Sequence, residues 1–338
     1  MAGKDIILLS LKELKRLKVI QDVINKRITQ VTAAAIIGLS ERQIGRLTKA
    51  VRKEGDRGIA HKSRGKTSNR KIAEEVKEKV LRLYRDKYQD FGPTLASEKL
   101  EEDGIRISEE TLRIWLIKEG LWKQKRKKKA HRQWRERKEC FGEMIQMDGS
   151  HHDWLEGRAP KLVLMAYIDD ATRRVFARFY DYECTMPAMD SFRLYTEENG
   201  LPQGLYADKH STYKSQRKLT IEEELEGVEE PLSQFERALD ELGVEMIHAH
   251  SPQAKGRIER LFATFQDRVI KEMRLKGIKT KEEANEFLKS YLPEYNKRFS
   301  KQASNETDVH VRPPKEVNLN NYLCIKTERT MRKDNTIS

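Results

Sequence analysis

The sequence predicts a multidomain chain in which all-α units with a helix-turn-helix pattern precede a mixed α/β domain. Three observations predict it. Apolar residues recur at helical spacing, punctuated by caps and glycines, across residues 11–119. From residue 143 onward they gather instead into short runs of strand length. The charge divides at nearly the same place: residues 1–140 carry 37 Lys and Arg against 20 Asp and Glu, and residues 141–338 carry 30 against 34. A basic front half is the electrostatic footprint of a polyanion partner, of which nucleic acid is the commonest, although any single run could be a solvated face.

The first helix spans residues 11–28, with Leu14, Leu17, Val19, Ile20, Val23, Ile24 and Ile28 on its apolar side and Ser10 as N-cap. A shorter helix over 30–37 is stopped by Gly38. Ser40 opens a third, and Ser40-Glu41-Arg42-Gln43 fits a capping box. Helix, glycine turn and capped basic helix make a helix-turn-helix domain over 1–54. Ser40, Arg42, Gln43, Arg46, Lys49 and Arg52 are of types that reach bases and phosphates from the major groove. An ordinary three-helix bundle with a charged outer face is the alternative.

Residues 55–71 read as a basic linker suited to lying along DNA, and Arg64 and Lys66 are its candidate contacts. A second helical unit follows over 72–122, broken at Phe91-Gly92-Pro93, with helices at about 93–103 and 109–119. Thr111, Arg113 and Lys118 would make it a second reader of DNA; a purely packing role is the other reading. Residues 123–140 form a second basic linker; ten of the sixteen residues over 123–138 are Lys or Arg, so the segment must be exposed.

In the α/β domain, expected over 141–300, strands are predicted at Met144–Met147, Leu162–Ile168, Val175–Tyr180, Gly204–Ala207 and 244–248. Helices are predicted at 186–199, 232–242 and 253–276. Three antiparallel strands followed by crossovers suit an RNase H-like fold. A Glu-rich insertion occupies 215–232, and 301–338 reads as a polar tail.

Most of the 54 acidic residues lie among lysines in helical surface patterns, but Asp148 and Asp208 each follow an apolar strand run. An ionised acid at a buried strand end is costly unless a cation or hydrogen bonds compensate it. Glu259 lies in the first turns of the long helix. Three carboxylates from different elements can hold hard divalent cations, and phosphoryl transfer on DNA often uses two.

Gln146-Met147-Asp148-Gly149-Ser150, then Ala207-Asp208-Lys209-His210-Ser211-Thr212-Tyr213, then Ser251-Pro252-Gln253-Ala254-Lys255-Gly256-Arg257-Ile258-Glu259-Arg260, resemble the integrase-type core of DDE insertion-sequence transposases, nearest to the ISNCY group. The likeness extends over nearly the whole chain. It implies that Asp148, Asp208 and Glu259 bind two Mg²⁺ or Mn²⁺ ions and catalyse 3′-end cleavage and strand transfer. It also implies that Lys255, Arg257 and Arg260 contact the DNA backbone, and that Tyr295-Asn296 is structural. The implied partners are double-stranded DNA, as terminal inverted repeats and target, and further copies of the chain in a dimer or larger synaptic complex. Relatives of this type continue into a small β-barrel, so a chain ending at Ser338 is expected to be truncated before it.

Two readings compete with a transposase: a sequence-specific regulator with a silent core, and an RNase H-like nuclease. Three intact carboxylates favour catalysis, and two helical DNA-binding units favour recognition of specific ends. Cys140, Cys184 and Cys324 form no CxxC pair, which argues against a disulfide framework or zinc site. No run of 18 apolar residues exists, so a bacterial cytoplasmic, nucleoid-associated protein is expected, with no membrane partner. His151-His152 imitates a metal site, but neighbours on a strand point to opposite faces. Asp169-Asp170 before Thr172 reads as a hydrogen-bonded turn.

Overall fold

The computed structural model describes residues 7–64, 71–123, 136–219, 225, 230–248 and 256–327. Contacts divide the chain into two units, Met1–Arg82 and Leu83–Ser338.

In the first unit, α1 (Leu11–Ile24), α2 (Gln30–Ile37) and α3 (Glu41–Glu54) enclose Leu17, Ile20, Val23, Ala33, Ala34, Ile44 and Val51, joined by Ile59. The Ser10–Glu13 capping box forms at the start of α1. That helix stops four residues short of the expected Ile28, because Asn25 caps it and Lys26 takes a left-handed φ of 58°. The capping box expected at Ser40 is absent: Ser40 sits at the N-cap of α3 without a side-chain cap hydrogen bond. The boxes that do form, at Ser10, Ser233 and Thr280, all have Glu at the third position. A carboxylate there is drawn to the helix's positive end, whereas Gln43 is neutral.

A 3₁₀ turn, Gly55–Ile59, folds back onto α3. A methyl group on Gly58 would stand 2.4 Å from the Ala50 carbonyl oxygen, so only glycine permits this approach. Gly58→Ala is expected to destabilise the unit by about 1–3 kcal/mol through overpacking. Faster amide exchange in α3 would register the change, and unaltered protection would contradict the packing argument.

The second unit is built on a five-stranded sheet. Its strands are β1 (Ile145–His152), β2 (Leu162–Asp169), β3 (Val175–Tyr180), β4 (Gly204–Ala207) and β5 (Glu245–His248), in the order β3-β2-β1-β4-β5. The first three pair antiparallel, and β4 and β5 run parallel to β1. This is the RNase H-like arrangement. β2 is buried along its whole length, which is why it reads as an unbroken apolar run.

Alternation along β2 divides the core. Leu162, Leu164, Ala166 and Ile168 face α9 (Gly256–Leu275) and α10 (Lys281–Phe299), with Trp154, Phe265 and Leu288 in the same cluster. Val163, Met165 and Tyr167 face the other way, in a cluster with Phe192 of α7 (Thr185–Asn199) and Phe235 of α8 (Gln234–Glu241). Each such fully buried large side chain contributes about 1.5–3 kcal/mol.

β3 is an edge strand whose outer backbone groups need partners. Two side chains of α10 supply them. The Asn296 amide accepts from Val175 N and donates to Val175 O, each at 2.8 Å. Asn285 does the same at Phe179, at 2.8 and 3.1 Å. Asn296 is therefore structural, as the motif implied.

Residues 83–118 also lie within this unit. After α4 (Glu74–Lys87), α5 (Pro93–Glu102) and α6 (Glu109–Lys118) form, and the Glu98 carboxylate of α5 receives both guanidinium nitrogens of Arg268 at 2.7 Å and Arg298 at 2.6 Å. Lys99 meets Glu272 at 2.7 Å and Asp90 meets Arg274 at 2.6 Å. Burial pushes the Glu98 carboxyl up, but the two arginines outweigh it and hold it below its usual range. This helical segment is thus fastened to α9 by charge.

The segment read as a polar tail is part of the fold as far as it is described. Leu323 enters the α7–α8 cluster, and Val311 exchanges backbone hydrogen bonds with Leu201 at 2.8 and 2.9 Å. Arg237 of α8 donates to the carbonyls of Tyr322 and Cys324 at 3.2 and 2.5 Å.

Candidate active site

β1 carries Asp148 at its middle, paired with Ala166 of β2. Ala166 lies on the α9 side of the sheet, so Gln146, Asp148 and Ser150 look towards α9 as well. β4 pairs in parallel with β1 through Ile145–Leu205 and Gln146–Tyr206. Asp148 and Asp208 each lie two residues beyond that last pair, Asp208 one residue past the end of β4. Both are half-buried. Each is held by a local amide: Gly149 N donates to Asp148 Oδ1 at 3.1 Å, and His210 N donates to Asp208 Oδ1 at 3.0 Å.

α9 runs alongside β1. Near its start Arg257 pairs with Asp170, which also accepts from Gln146 Nε2 at 3.0 Å. Nine residues on, Gln266 Nε2 reaches Ser150 Oγ at 3.5 Å. Nine helical residues rise about 13.5 Å, and the four strand residues from 146 to 150 span about 13 Å. Helix and strand therefore advance together, and Glu259 lies two residues past Arg257 on α9. It lies next to buried Ile258 but is itself exposed. Among the described residues no group of three His, Cys, Asp or Glu side chains converges closely enough to hold a metal ion. The donor set is all oxygen, which fits Mg²⁺ or Mn²⁺ and not a thiol- or imidazole-seeking metal.

Of the candidate DNA contacts singled out in the sequence, Arg42, Gln43, Arg46, Lys49 and Arg52 are all exposed on α3, while Ile44, Thr48 and Val51 are buried. Ser40 is exposed at the start of that helix. Arg64 is engaged within its own unit: its guanidinium pairs with Glu13 and donates to the Leu8 carbonyl at 2.5 Å. The Ser10 amide and hydroxyl, helped by Arg64, hold the Glu13 carboxyl down at about 2. Arg260 is exposed. Lys66 and Lys255 lie outside the described residues.

Arg257 departs from expectation. Motif likeness makes it a backbone contact for DNA, yet its guanidinium turns inward onto Asp170, a residue with no exposed side-chain surface. Asp170 also accepts from Lys138 N at 2.9 Å. The turn role expected of both acids falls to Asp169 alone, which takes the amide and hydroxyl of Thr172 at 2.6 Å each. Burial raises the Asp169 carboxyl above its usual range even so. His151 and His152 lie on opposite faces, the first bonded to Glu183 at 3.0 Å and the second edge-on to Trp154 with ring centroids 5.6 Å apart. A cavity of about 700 Å³ between β3, α7 and α10, lined by Arg174, Leu194, Leu288 and Lys297, is a separate feature from the carboxylates.

A helix-turn-helix domain family matches residues 15–67. "Putative transposase y4bF" of Sinorhizobium fredii is 39% identical over 307 residues, spanning 90% of this chain. The chain is a transposase homologue. The transposase for insertion sequence IS1202 of Streptococcus pneumoniae is 29% identical over 348 aligned positions, spanning 91% of this chain. This homologue spans 66% and 73% of the two relatives' own lengths. Solved structures similar to it include the simian T-cell lymphotropic virus intasome in complex with PP2A regulatory subunit B56 gamma. That likeness has a TM-score of 0.41 at 17% identity and covers 65% of this homologue and 75% of that chain. The HTLV-2 integrase catalytic core domain in complex with magnesium gives 0.33 at 14%, covering 44% and 82%. No described helix of the homologue is long and apolar enough to cross a membrane.

Proposed function

We propose that this chain binds the terminal inverted repeats of an insertion sequence and catalyses metal-dependent 3′-end cleavage and strand transfer. The observation that supports it best is the parallel pairing of β4 with β1, whose last pair, Gln146–Tyr206, stands two residues before Asp148 and Asp208, in a sheet packed against α9, the helix of Glu259. In this reading Asp148, Asp208 and Glu259 hold two Mg²⁺ or Mn²⁺ ions. When bound, the ions supply Lewis acidity and neutralise charge at phosphorus. The protein holds the scissile phosphodiester on this face, and the attacking water displaces the 3′-oxygen. The freed 3′-hydroxyl then attacks a target phosphodiester, forming one P–O bond as another breaks. A dimer or larger synaptic complex of this chain follows from the family likeness. A DNA partner inside the bacterial cytoplasm follows from the same reading.

End recognition belongs to α3 in this proposal, through Arg42, Gln43, Arg46, Lys49 and Arg52, with Ser40 at its N-terminus on a phosphate. Arg260, with Lys66 and Lys255, would add backbone contacts. A complex with six to ten phosphate contacts loses roughly 10³–10⁵ in affinity between 50 and 200 mM salt. A flat salt dependence would contradict the phosphate contacts. The decisive assay incubates the protein with DNA ends from the gene's own flanks and Mg²⁺ or Mn²⁺. Cleavage with 3′-end joining, abolished by chelation, supports the transposase. Binding without cleavage in either metal would mean a silent core and favour a regulator; cleavage without joining would mean a nuclease.

A further inference from the structure

We propose that Glu183 is a positioning residue that locks together the two backbone segments bearing Asp148 and Asp208. The inference rests on the carboxylate site proposed above and adds a residue to it. Glu183 lies between β3 and α7, with only 10% of its side chain exposed. Its Oε1 accepts the Tyr213 hydroxyl at 2.9 Å, and its Oε2 pairs with His151 Nε2 at 3.0 Å. The same carboxylate lies against the backbone of β1. A methyl group on Gly149 would come within 2.4 Å of Oε2, so glycine next to Asp148 is what admits it.

The β1 backbone on one side and hydrogen bonds on the other connect these groups to the two aspartates. On one side Gly149 N donates to Asp148 Oδ1 at 3.1 Å. On the other, Tyr213 N donates to His210 O at 2.8 Å, and His210 N donates to Asp208 Oδ1 at 3.0 Å. Tyr213 is fully buried, and its ring packs against Phe235 with centroids 5.7 Å apart. Burial first, and Glu183 second, raises the Tyr213 phenol well above its usual range, so it stays a donor. Gly149 and His151 project to the α7 side, opposite Asp148, which puts Glu183 behind the site instead of in it. A buried carboxylate is costly without such partners, so the bonds to Tyr213 and His151 also hold Glu183 itself.

Hydrogen-bond partners behind a metal ligand typically matter 10- to 100-fold in affinity or rate. Glu183→Ala is therefore expected to lower single-turnover cleavage by about 10- to 100-fold and to weaken Mn²⁺ binding, read by electron paramagnetic resonance without DNA, by a similar factor. Amide exchange over residues 208–214 should quicken. Glu183→Gln keeps an acceptor for Tyr213 and a donor for His151, so it should restore most of the loss; a direct metal ligand would not be restored. Tyr213→Phe keeps the ring and removes one bond, and it should impair cleavage and Mn²⁺ binding in the same direction. It serves if the alanine variant fails to fold. Tyr213→Phe should cost nothing further in the Glu183→Ala background.

Wild-type rates, Mn²⁺ affinity and exchange in both Glu183→Ala and Tyr213→Phe would overturn the proposal. A Glu183→Gln variant as impaired as the alanine one would overturn it too, in favour of direct action by the charge. If Asp148→Asn abolishes cleavage while Glu183→Ala is normal, only this inference falls. If the wild-type chain neither cleaves DNA nor loses Mn²⁺ binding on Asp148→Asn, the carboxylate site falls, and Glu183 with it.

Discussion

Asp148→Asn is expected to lower strand cleavage by at least about a thousandfold, roughly 4 kcal/mol of transition-state stabilisation, while leaving DNA binding unchanged. The substitution keeps the size of the side chain and its ability to accept from Gly149, so β1 should pair as before. It removes one of the negative charges that a pair of hard cations requires. Asp148 sits on a strand that pairs with both β2 and β4. The measurement is single-turnover cleavage beside filter binding on one DNA end. Asp148→Cys adds a second arm: a thiolate accepts Mn²⁺ more readily than Mg²⁺, so partial recovery in Mn²⁺ is expected. Cleavage persisting in Asp148→Asn would sink the site assignment, and loss of binding together with cleavage would point to a folding defect.

Arg257→Ala should act on stability instead of DNA affinity. Asp170 has no exposed side-chain surface and Arg257 has 17%, so removing the guanidinium takes the cation from a buried carboxylate that keeps its hydrogen bonds from Gln146 and Lys138. An uncompensated buried charge costs about 3–5 kcal/mol, and the remaining hydrogen bonds place the expected loss at about 2–3 kcal/mol. Urea unfolding is the direct measurement. Asp170→Asn removes the charge in question, so Arg257→Ala should cost much less in that background. Were Arg257 a phosphate contact, the variant would unfold normally and its salt slope for DNA binding would fall by about one. The two outcomes do not overlap.

The fate of Arg257 shows what a motif conveys. Its neighbours along the chain give it a place at the start of a helix, and its chemistry suits a phosphate. Its actual partner is 87 residues away, in the β2–β3 turn. Glu98 and Arg268 are 170 residues apart, and nothing local to either foretells their pairing. Glu183 escaped notice for the same reason. It follows a strand in an unremarkable polar segment, and only folding brings Gly149, His151 and Tyr213 around it. A glycine directly after Asp148 was the one available signal. The absent capping box at Ser40 is a different kind of miss, since a neutral glutamine satisfies the pattern but lacks the charge that makes the contact favourable.

The sequence by itself determined the helices of the first unit, the five strands in order, and the succession of Asp148, Asp208 and Glu259. These are legible because burial acts on side chains two, three or four residues apart, so the period is written along the chain. Tertiary structure alone decided that β4 pairs with β1, that α5 is clamped to α9, and that residues as far as Leu323 join the core. Those outcomes depend on strand register and on which charged groups meet across the fold. Each charged side chain has many chemically equivalent partners, and only packing selects among them.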